Sequence, residues 1–291
     1  MVSGILLVDK PAGPTSHSVV AAARKKLGTR RVGHAGTLDP MATGLLVLGV
    51  EQSTKLLTFL VGQDKTYLAT IRLGQSTVSD DAESEVTKTA SHEHIDAVTK
   101  EAIEVEIKKL TGEIMQTPSQ VSAIKVAGKR AYDLVREGES VELKARPVTV
   151  SRFEVQGTSR ESGFIDLSVE VDCSSGTYIR ALARDLGEAL GIGGHLTALR
   201  RTRVGPFRVE SAIGVEEIEA TKILQPAAVA SQIMPTIELT EQESIDLGHG
   251  KRIKCSAPNS DATAAIFGEQ LVAIVSVDNG EARVVTGFLN D

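Results

Sequence analysis

Asp39 is the residue around which chemistry can be built. It lies in the stretch GHAGTLDPMATGLL, Gly33 to Leu46, between Leu38 and Pro40, with His34 five residues upstream. Gly33, Gly36 and Gly44 permit positive φ and close backbone approach, and Pro40 favours an extended residue before it. A lone Leu-Asp-Pro opens many ordinary turns. Set among three glycines and followed by the apolar run Leu45 to Val50, it reads as a rigid loop that presents one carboxylate and then enters a buried strand. An ionised carboxylate held in that way can serve as nucleophile, base or electrostatic stabiliser, the roles it takes in glycosidases. Arg180 is a second candidate, in SSGTYIRALARDLGEALG (Ser174 to Gly191). Gly176 breaks a strand there, Thr177 can cap, and Ile179, Leu182, Ala183 and Leu186 make the buried stripe of a helix. A cation in a first helical turn opposes the helix dipole, so Arg180 is either a tolerated surface residue or paired with an anion.

The elements that must position these groups are legible in outline. Gly4 to Val8 reads as a buried strand ending in the loop DKPAGPTS, and Ser16 as the N-cap of a helix with Val19, Val20, Ala23 and Leu27 inside and Gly28 as its stop. Thr54 to Leu60 suits a short helix. Lys65 to Leu73 alternates as a strand with Tyr67, Ala69, Ile71 and Leu73 on one face, where Tyr67 alone would be a core or rim tyrosine. Ser76 to Ser84 is a polar loop, and Ile95, Val98, Ala102, Val105 and Leu110 mark one amphipathic helix. Gln116 to Pro147 is long, basic and broken by glycine, which fits a flap over a ligand. Val148 to Val155 and Ile165 to Val171 read as strands. From about Glu210 an acidic helical stretch leads into short β-rich pieces, so a small β domain is expected from Met234.

The totals narrow the class. With 291 residues, 41% hydrophobic and 24% charged, the chain has the composition of a two-domain soluble protein, expected in the cytoplasm, with no secretory signal and no membrane span. Two cysteines and six scattered histidines give no metal-ligand spacing, so free thiols and no metal are expected. The formal charge is -6, yet the basic residues cluster: Arg24 to Arg31, Lys125 to Arg130, Arg200 to Arg203 and Lys251 to Lys254. Each cluster alone suits a solvated face; together, flanking one candidate loop, they favour a polyanion steered by local field.

Several ordered motifs resemble the TruB family of tRNA pseudouridine synthases: LLVDKPAGPTSH, GHAGTLDPMATGLL, DKTYLATIRLG, TPSQVSAIKVAGKRAYDLVREG, ARPV, CSSGTYIRALARDLG and GGHLTALRRTRVGPF. The likeness covers most of residues 4 to 207. It implies an α+β fold: a catalytic domain over 1–233 with a central mixed or antiparallel sheet and flanking helices, and a small β-rich PUA-like RNA-binding domain over 234–291. It further implies that Asp39 is catalytic, that Tyr67 stacks on the target uracil, that Arg180 pairs with the aspartate and that Leu199 lines the uracil pocket. His34 would fill the space left by flipped nucleotides, and Lys10 and Pro11 match a Lys-Pro motif beside the site. Residues 116–147 correspond to an RNA-clamping thumb loop, with Lys125, Lys129 and Arg130 as RNA contacts. Asp81 and Ala82 match the family's acidic loop after the tyrosine strand, which makes Asp81 an expected substrate-binding residue, whereas Val78 and Ser84 depart from it; in the flap, Gln120-Val121 replaces a commonly aromatic or methionine-containing pair.

The implied reaction isomerises uridine 55 in the tRNA T-loop, with a monomer as the expected state. The N1–C1′ bond breaks, the base turns over, and C5 joins C1′. The substrate holds every atom and electron required, so no cofactor is expected, in keeping with the lack of a P-loop or dinucleotide fingerprint. The target base must leave the stack, which calls for an aromatic platform and a residue to fill the gap. A tRNA-binding folding chaperone, with catalysis secondary, is the alternative from another class. Asp39 weighs against it, since pure binding of a polyanion has no use for a carboxylate.

Overall fold

The apolar run after Ser3 forms strand β1 (Gly4–Lys10), which pairs antiparallel with β3 (Thr43–Val50) from Gly4 opposite Val50 to Lys10 opposite Gly44. A three-residue strand, β2 (Val32–His34), lies along the other edge of β3 with His34 opposite Leu48. Between β1 and β2 runs helix α1 (Ser16–Leu27), which buries Val19, Val20 and Ala23. It is capped one residue earlier than the sequence suggests: the Thr15 hydroxyl accepts from the Ser18 amide at 3.0 Å. Ser16 is thereby released for a different task. Gly28 ends the helix at φ 64, a left-handed conformation that glycine adopts without strain.

The computed structural model describes residues 2–121, 125–126, 129–130, 143–161 and 163–288, and at 125–126 and 129–130 only the backbone. The chain packs as two units: Met1–Pro40, Gly44–Gly62 and Val204–Asp291 form one, and Met41–Thr43 with Gln63–Arg203 the other. The first unit also holds a five-stranded sheet, in spatial order Thr236–Glu238, Ser260–Phe267, Gln270–Asp278, Glu281–Gly287 and Ile253–Lys254. That sheet begins near Met234, but the hydrophobic core does not stop there. Ile5, Leu7, Leu45 and Val47 share one buried cluster with Ala264, Ile266, Ile274 and Phe288. The compact units therefore do not follow the expected 1–233 and 234–291 division.

In the second unit the spatial order is β8 (Gly194–Val204), β4 (Lys65–Leu73), β7 (Ile165–Cys173), β6 (Arg146–Ser159) and β5 (Gly112–Gln116). β7 runs antiparallel to β4 and β6, and β5 antiparallel to β6. The alternation expected from sequence holds: Tyr67, Ala69, Ile71 and Leu73 are buried on β4, and Ile165, Leu167, Val169 and Val171 on β7. Helix α2 (Ile179–Ala189) approaches the start of β8 backbone to backbone. A Cβ on Gly187 would stand 2.1 Å from the Gly193 carbonyl carbon and the Gly194 nitrogen, so only glycine permits the contact. The single helix expected over Ile95 to Leu110 is two, His92–Asp96 and Lys100–Lys109. Thr99 caps the second by accepting from the Ala102 amide at 3.2 Å, which resets the helical phase. Ile103 and Ile107 turn inward as a result, and Val105 stands 54% exposed.

The shared core generates a prediction about truncation. A chain ending at Ile233 would uncover Ile5, Leu45 and Val47, and should lose cooperative thermal unfolding of the first unit. Circular dichroism melts check this; a sharp transition at the parental temperature would show that the N-terminal strands do not need the C-terminal sheet.

Candidate active site

Asp39 is half-buried and each of its neighbours is clamped. Ser16, fully buried at the start of α1, donates its hydroxyl to the Leu38 carbonyl at 2.9 Å and accepts from the Leu38 amide at 2.8 Å. On the other side, the Pro40 carbonyl accepts from the Lys10 ammonium at 3.1 Å and from the Gly13 amide at 2.9 Å. Lys10 is also fully buried, and its ammonium donates further to the Pro11 carbonyl at 2.9 Å. Gly36 at φ 91 supplies the turn, and the Ala35 amide donates to the Val47 carbonyl at 2.9 Å. The Leu38–Asp39–Pro40 backbone is thus fixed from both sides. His34 ends β2 rather than lying in the loop, its ring edge-on to His17 with centroids 5.5 Å apart, and Pro11 is exposed.

Arg180 resolves the conflict with the helix dipole by burial among acceptors. Only 4% exposed, it donates through Nη1 to the Ser79 carbonyl at 2.7 Å and through Nη2 to the Val121 carbonyl at 2.9 Å. Its Nη1 lies 3.5 Å from Asp81 Oδ2. Asp81, expected to bind substrate, is instead 2% exposed and accepts from the Ser79 hydroxyl and the Glu83 amide, so its carboxylate meets Arg180 rather than a ligand in solvent. Removing one partner of such a pair leaves an uncompensated buried charge, at about 3–5 kcal/mol. Tyr178, not Thr177, is the N-cap of α2 and has no side-chain cap bond. Gln116 stands in for one, accepting from the Tyr178 amide at 2.8 Å and donating to its carbonyl at 3.1 Å.

Tyr67 is 7% exposed on β4 opposite Val171, and Leu199 is 8% exposed on β8. Two residues before Tyr67, Lys65 is buried opposite Cys173. Burial, reinforced by the Arg201 charge, lowers the Lys65 ammonium to about 8, and burial raises the Cys173 thiol to about 11. The basic clusters are partly neutralised: Lys26 pairs with Glu216 at 3.1 Å, Lys251 with Asp246 at 2.8 Å and Arg252 with Glu281 at 3.3 Å. Lys25 and Arg30 are exposed and carry no ion pair among the described residues. Lys125 lies opposite Arg130 in a short antiparallel pair with Val126 and Lys129; the side chains of Lys125, Lys129 and Arg130 lie outside the described residues, as do 122–124, 127–128 and 131–142 of the expected thumb loop. Among the described residues no group of three histidine, cysteine or acidic side chains is placed to hold a metal ion, and no helix is long and apolar enough to cross a membrane.

Thr15 and Ser16 are equally good caps by sequence, so nothing local marks Ser16 as the residue that holds Leu38. Nor does the polar loop mark Asp80 as the partner of Arg184, whose Nη1 reaches its Oδ2 at 3.2 Å. Arg184 follows Arg180 at i+4 on one helical face, and Asp80 adjoins Asp81, so the doubled spacing was the available signal.

Two family models match the chain: the N-terminal domain of the TruB family pseudouridylate synthases over residues 24–179, and the tRNA pseudouridylate synthase B C-terminal domain over 180–239. Similar relatives are named tRNA pseudouridine synthase B. One from Mycolicibacterium paratuberculosis is 62% identical over 97% of this chain and 96% of its own; one from Paenarthrobacter aurescens is 52% identical over 99% and 96%. Among solved structures, an H/ACA ribonucleoprotein bound to a substrate RNA containing 2′-deoxyuridine matches with a TM-score of 0.73 at 25% identity, covering 99% of this chain and 85% of that one. A Cbf5–Nop10–Gar1 complex matches at 0.72 and 26%, covering 99% and 84%. Together these define a mixed α+β pseudouridine synthase fold with a β-rich C-terminal part, and the class is an isomerase. The chain belongs to the TruB family of pseudouridylate synthases.

The depressed Lys65 value carries a pH signature. Below about 8 the amine is protonated in both states and its burial opposes folding. Between about 8 and the usual 10.5 the unfolded chain holds the extra proton, so stability attributable to this group rises with pH. In urea titrations from pH 7 to 10, Lys65→Met should be the more stable protein relative to the parent at pH 7, and the gap should narrow as pH rises. Parallel curves would contradict a buried, depressed Lys65.

Proposed function

We propose that this pseudouridine synthase converts one uridine in the T-loop of tRNA, uridine 55, to pseudouridine, with Asp39 as the catalytic carboxylate. The observation that carries the reading is the clamp on Asp39: two fully buried polar side chains, Ser16 and Lys10, hold the backbone of its two neighbours. A loop with no chemical duty gains nothing from burying an ammonium to hold one turn, since burial of a charge is tolerated only when its hydrogen bonds are made. The names of the relatives support tRNA as the substrate class.

The reaction needs a carboxylate that stays ionised while the glycosidic bond breaks, the detached uracil to be held while it turns, and a base for the C5 proton after C5 has joined C1′. Asp39 suits the first and last duties, and fixing its backbone beforehand removes the reorganisation that a mobile loop would require. In this reading Arg180 supplies the positive charge that keeps the reacting carboxylate ionised. Tyr67 offers the aromatic face on which a flipped base can stack, with Leu199 as an apolar wall. His34 and Pro11 are assigned to RNA contacts beside the Asp39 loop, whereas Lys10, fully buried with its ammonium on the Pro11 and Pro40 carbonyls, supports the loop from within rather than touching substrate. Lys125, Lys129 and Arg130 are assigned to phosphates.

The test is a mass-spectrometric map of pseudouridine in unmodified tRNA incubated with the pure protein and with Arg180→Met and Arg180→Lys. A single product at uridine 55 is expected with the parent. Arg180→Met should lose at least about a hundredfold in rate, and Arg180→Lys should recover little, because an ammonium cannot reproduce the guanidinium fork. Product dispersed over several uridines, or near-parental turnover by Arg180→Met, would overturn the assignment.

A further inference from the structure

Asp80 is one of three residues other than glycine with positive φ among the described residues, at φ 61, and it is 8% exposed. An L-residue in that conformation is strained unless its surroundings hold it there. Three contacts do. Its carboxylate Oδ2 accepts from Arg184 Nη1 at 3.2 Å, its carbonyl accepts from the Leu196 amide at 3.0 Å, and its immediate neighbours are spent on Arg180. Ser79 gives Arg180 a carbonyl and Asp81 gives it a carboxylate, so the backbone angle at Asp80 decides how those two acceptors are aimed.

Arg184 is poised to set that angle. Its Nε and Nη2 both reach Asp185 Oδ1, at 2.9 and 2.7 Å, which fixes the plane of the guanidinium, while Nη2 also donates to the Thr117 carbonyl at 2.7 Å. One turn earlier on the same helix, Arg180 donates to the Val121 carbonyl. The two arginines therefore hold the same two segments, the 79–81 turn and the 117–121 stretch, at adjacent points. Only the Arg180 end carries a proposed catalytic duty.

We infer that Arg184 and Asp80 form a positioning pair that holds the Ser79–Asp81 turn in its left-handed form and so orients the Arg180 guanidinium for the reaction. Neither is a catalytic residue; both act through Arg180. The inference rests on the reading of Arg180 given above. Asp80 is the more informative of the two, because its two contributions, the backbone angle and the charge, can be separated by substitution. Asparagine tolerates the left-handed region and keeps an oxygen for Arg184, whereas alanine loses both.

The experiment measures single-turnover pseudouridine formation with enzyme in saturating excess over tRNA, together with tRNA dissociation constants and thermal midpoints, for Asp80→Ala, Asp80→Asn, Arg184→Met, the Asp80→Ala/Arg184→Met double variant and Arg180→Met. The expected result is a fall in rate constant of about tenfold or more for Asp80→Ala and Arg184→Met. tRNA affinity should stay within about threefold, Asp80→Asn should stand nearer the parent, and the double variant should be no worse than the weaker single, as expected for partners in one interaction. If Arg180→Met is inactive while Asp80→Ala and Arg184→Met turn over at the parental rate with lowered thermal midpoints, the pair is a structural ion pair and the inference is overturned. Loss of tRNA affinity with an unchanged rate constant would overturn it equally. Near-parental turnover by Arg180→Met would instead remove the reading of Arg180 itself, a distinct failure.

Discussion

Ser16 both gives a hydrogen bond to the Leu38 carbonyl and takes one from the Leu38 amide, and Lys10 completes the hold by gripping Pro40. The constraint is costly to relax. Without the serine oxygen, two backbone groups at a buried residue lose their partner, at roughly 1–3 kcal/mol each. Without acceptors, the Lys10 ammonium would be an unpaired buried charge. The loop geometry is therefore determined by groups outside the loop, in α1 and at the end of β1. Those elements are held in turn by the core that β1 and β3 share with the C-terminal sheet. A single carboxylate is kept in place by a chain of dependences that reaches from residue 5 to residue 288.

The second unit uses a related device built on guanidinium groups. Arg180 and Arg184 stand one turn apart on α2, and each takes one acidic residue of the 79–81 turn and one carbonyl of the 117–121 stretch. The helix that carries them is pressed onto β8 through Gly187 and Gly194 and capped by the amide of Gln116. Such buried pairs add little net stability over apolar packing. Their value here is geometric, since several acceptors around one guanidinium define its orientation.

Much of the fold was legible in the sequence because it rests on periodicity and punctuation. The bounds of β4, the alternation along β7 and the glycine stop of α1 follow from side-chain spacing and from φ. What failed did so where a local choice was degenerate. Thr15 and Ser16 are both capping residues, and only the neighbourhood of Leu38 decides which is free for it. The amphipathic pattern from Ile95 to Leu110 runs across Thr99 because its apolar residues keep an acceptable period without the break. At the site, the motif around Asp39 was legible as a turn that presents a carboxylate. The inward turn of Asp81 was not, because an acidic residue in a polar loop gives no sign of an arginine arriving from a helix 99 residues later. The division into units also escaped notice, since a core built from strands at both ends of the chain has no local signature.

The central claim is that the clamped carboxylate of Asp39 performs the chemistry. Asp39→Asn keeps size and shape and removes the negative charge, the nucleophile and the base together. Isomerisation replaces the hydrogen on uracil C5, so tritium placed there is released to water once for each pseudouridine formed. The direct measurement is single-turnover tritium release from 5-tritiated uridine in tRNA, with Asp39→Asn in excess and its tRNA affinity measured alongside. The account predicts binding at least as tight as the parent, because a carboxylate near phosphates opposes association, and no detectable release. Release at even about a tenth of the parental rate, a barrier change of only about 1.4 kcal/mol, would contradict it.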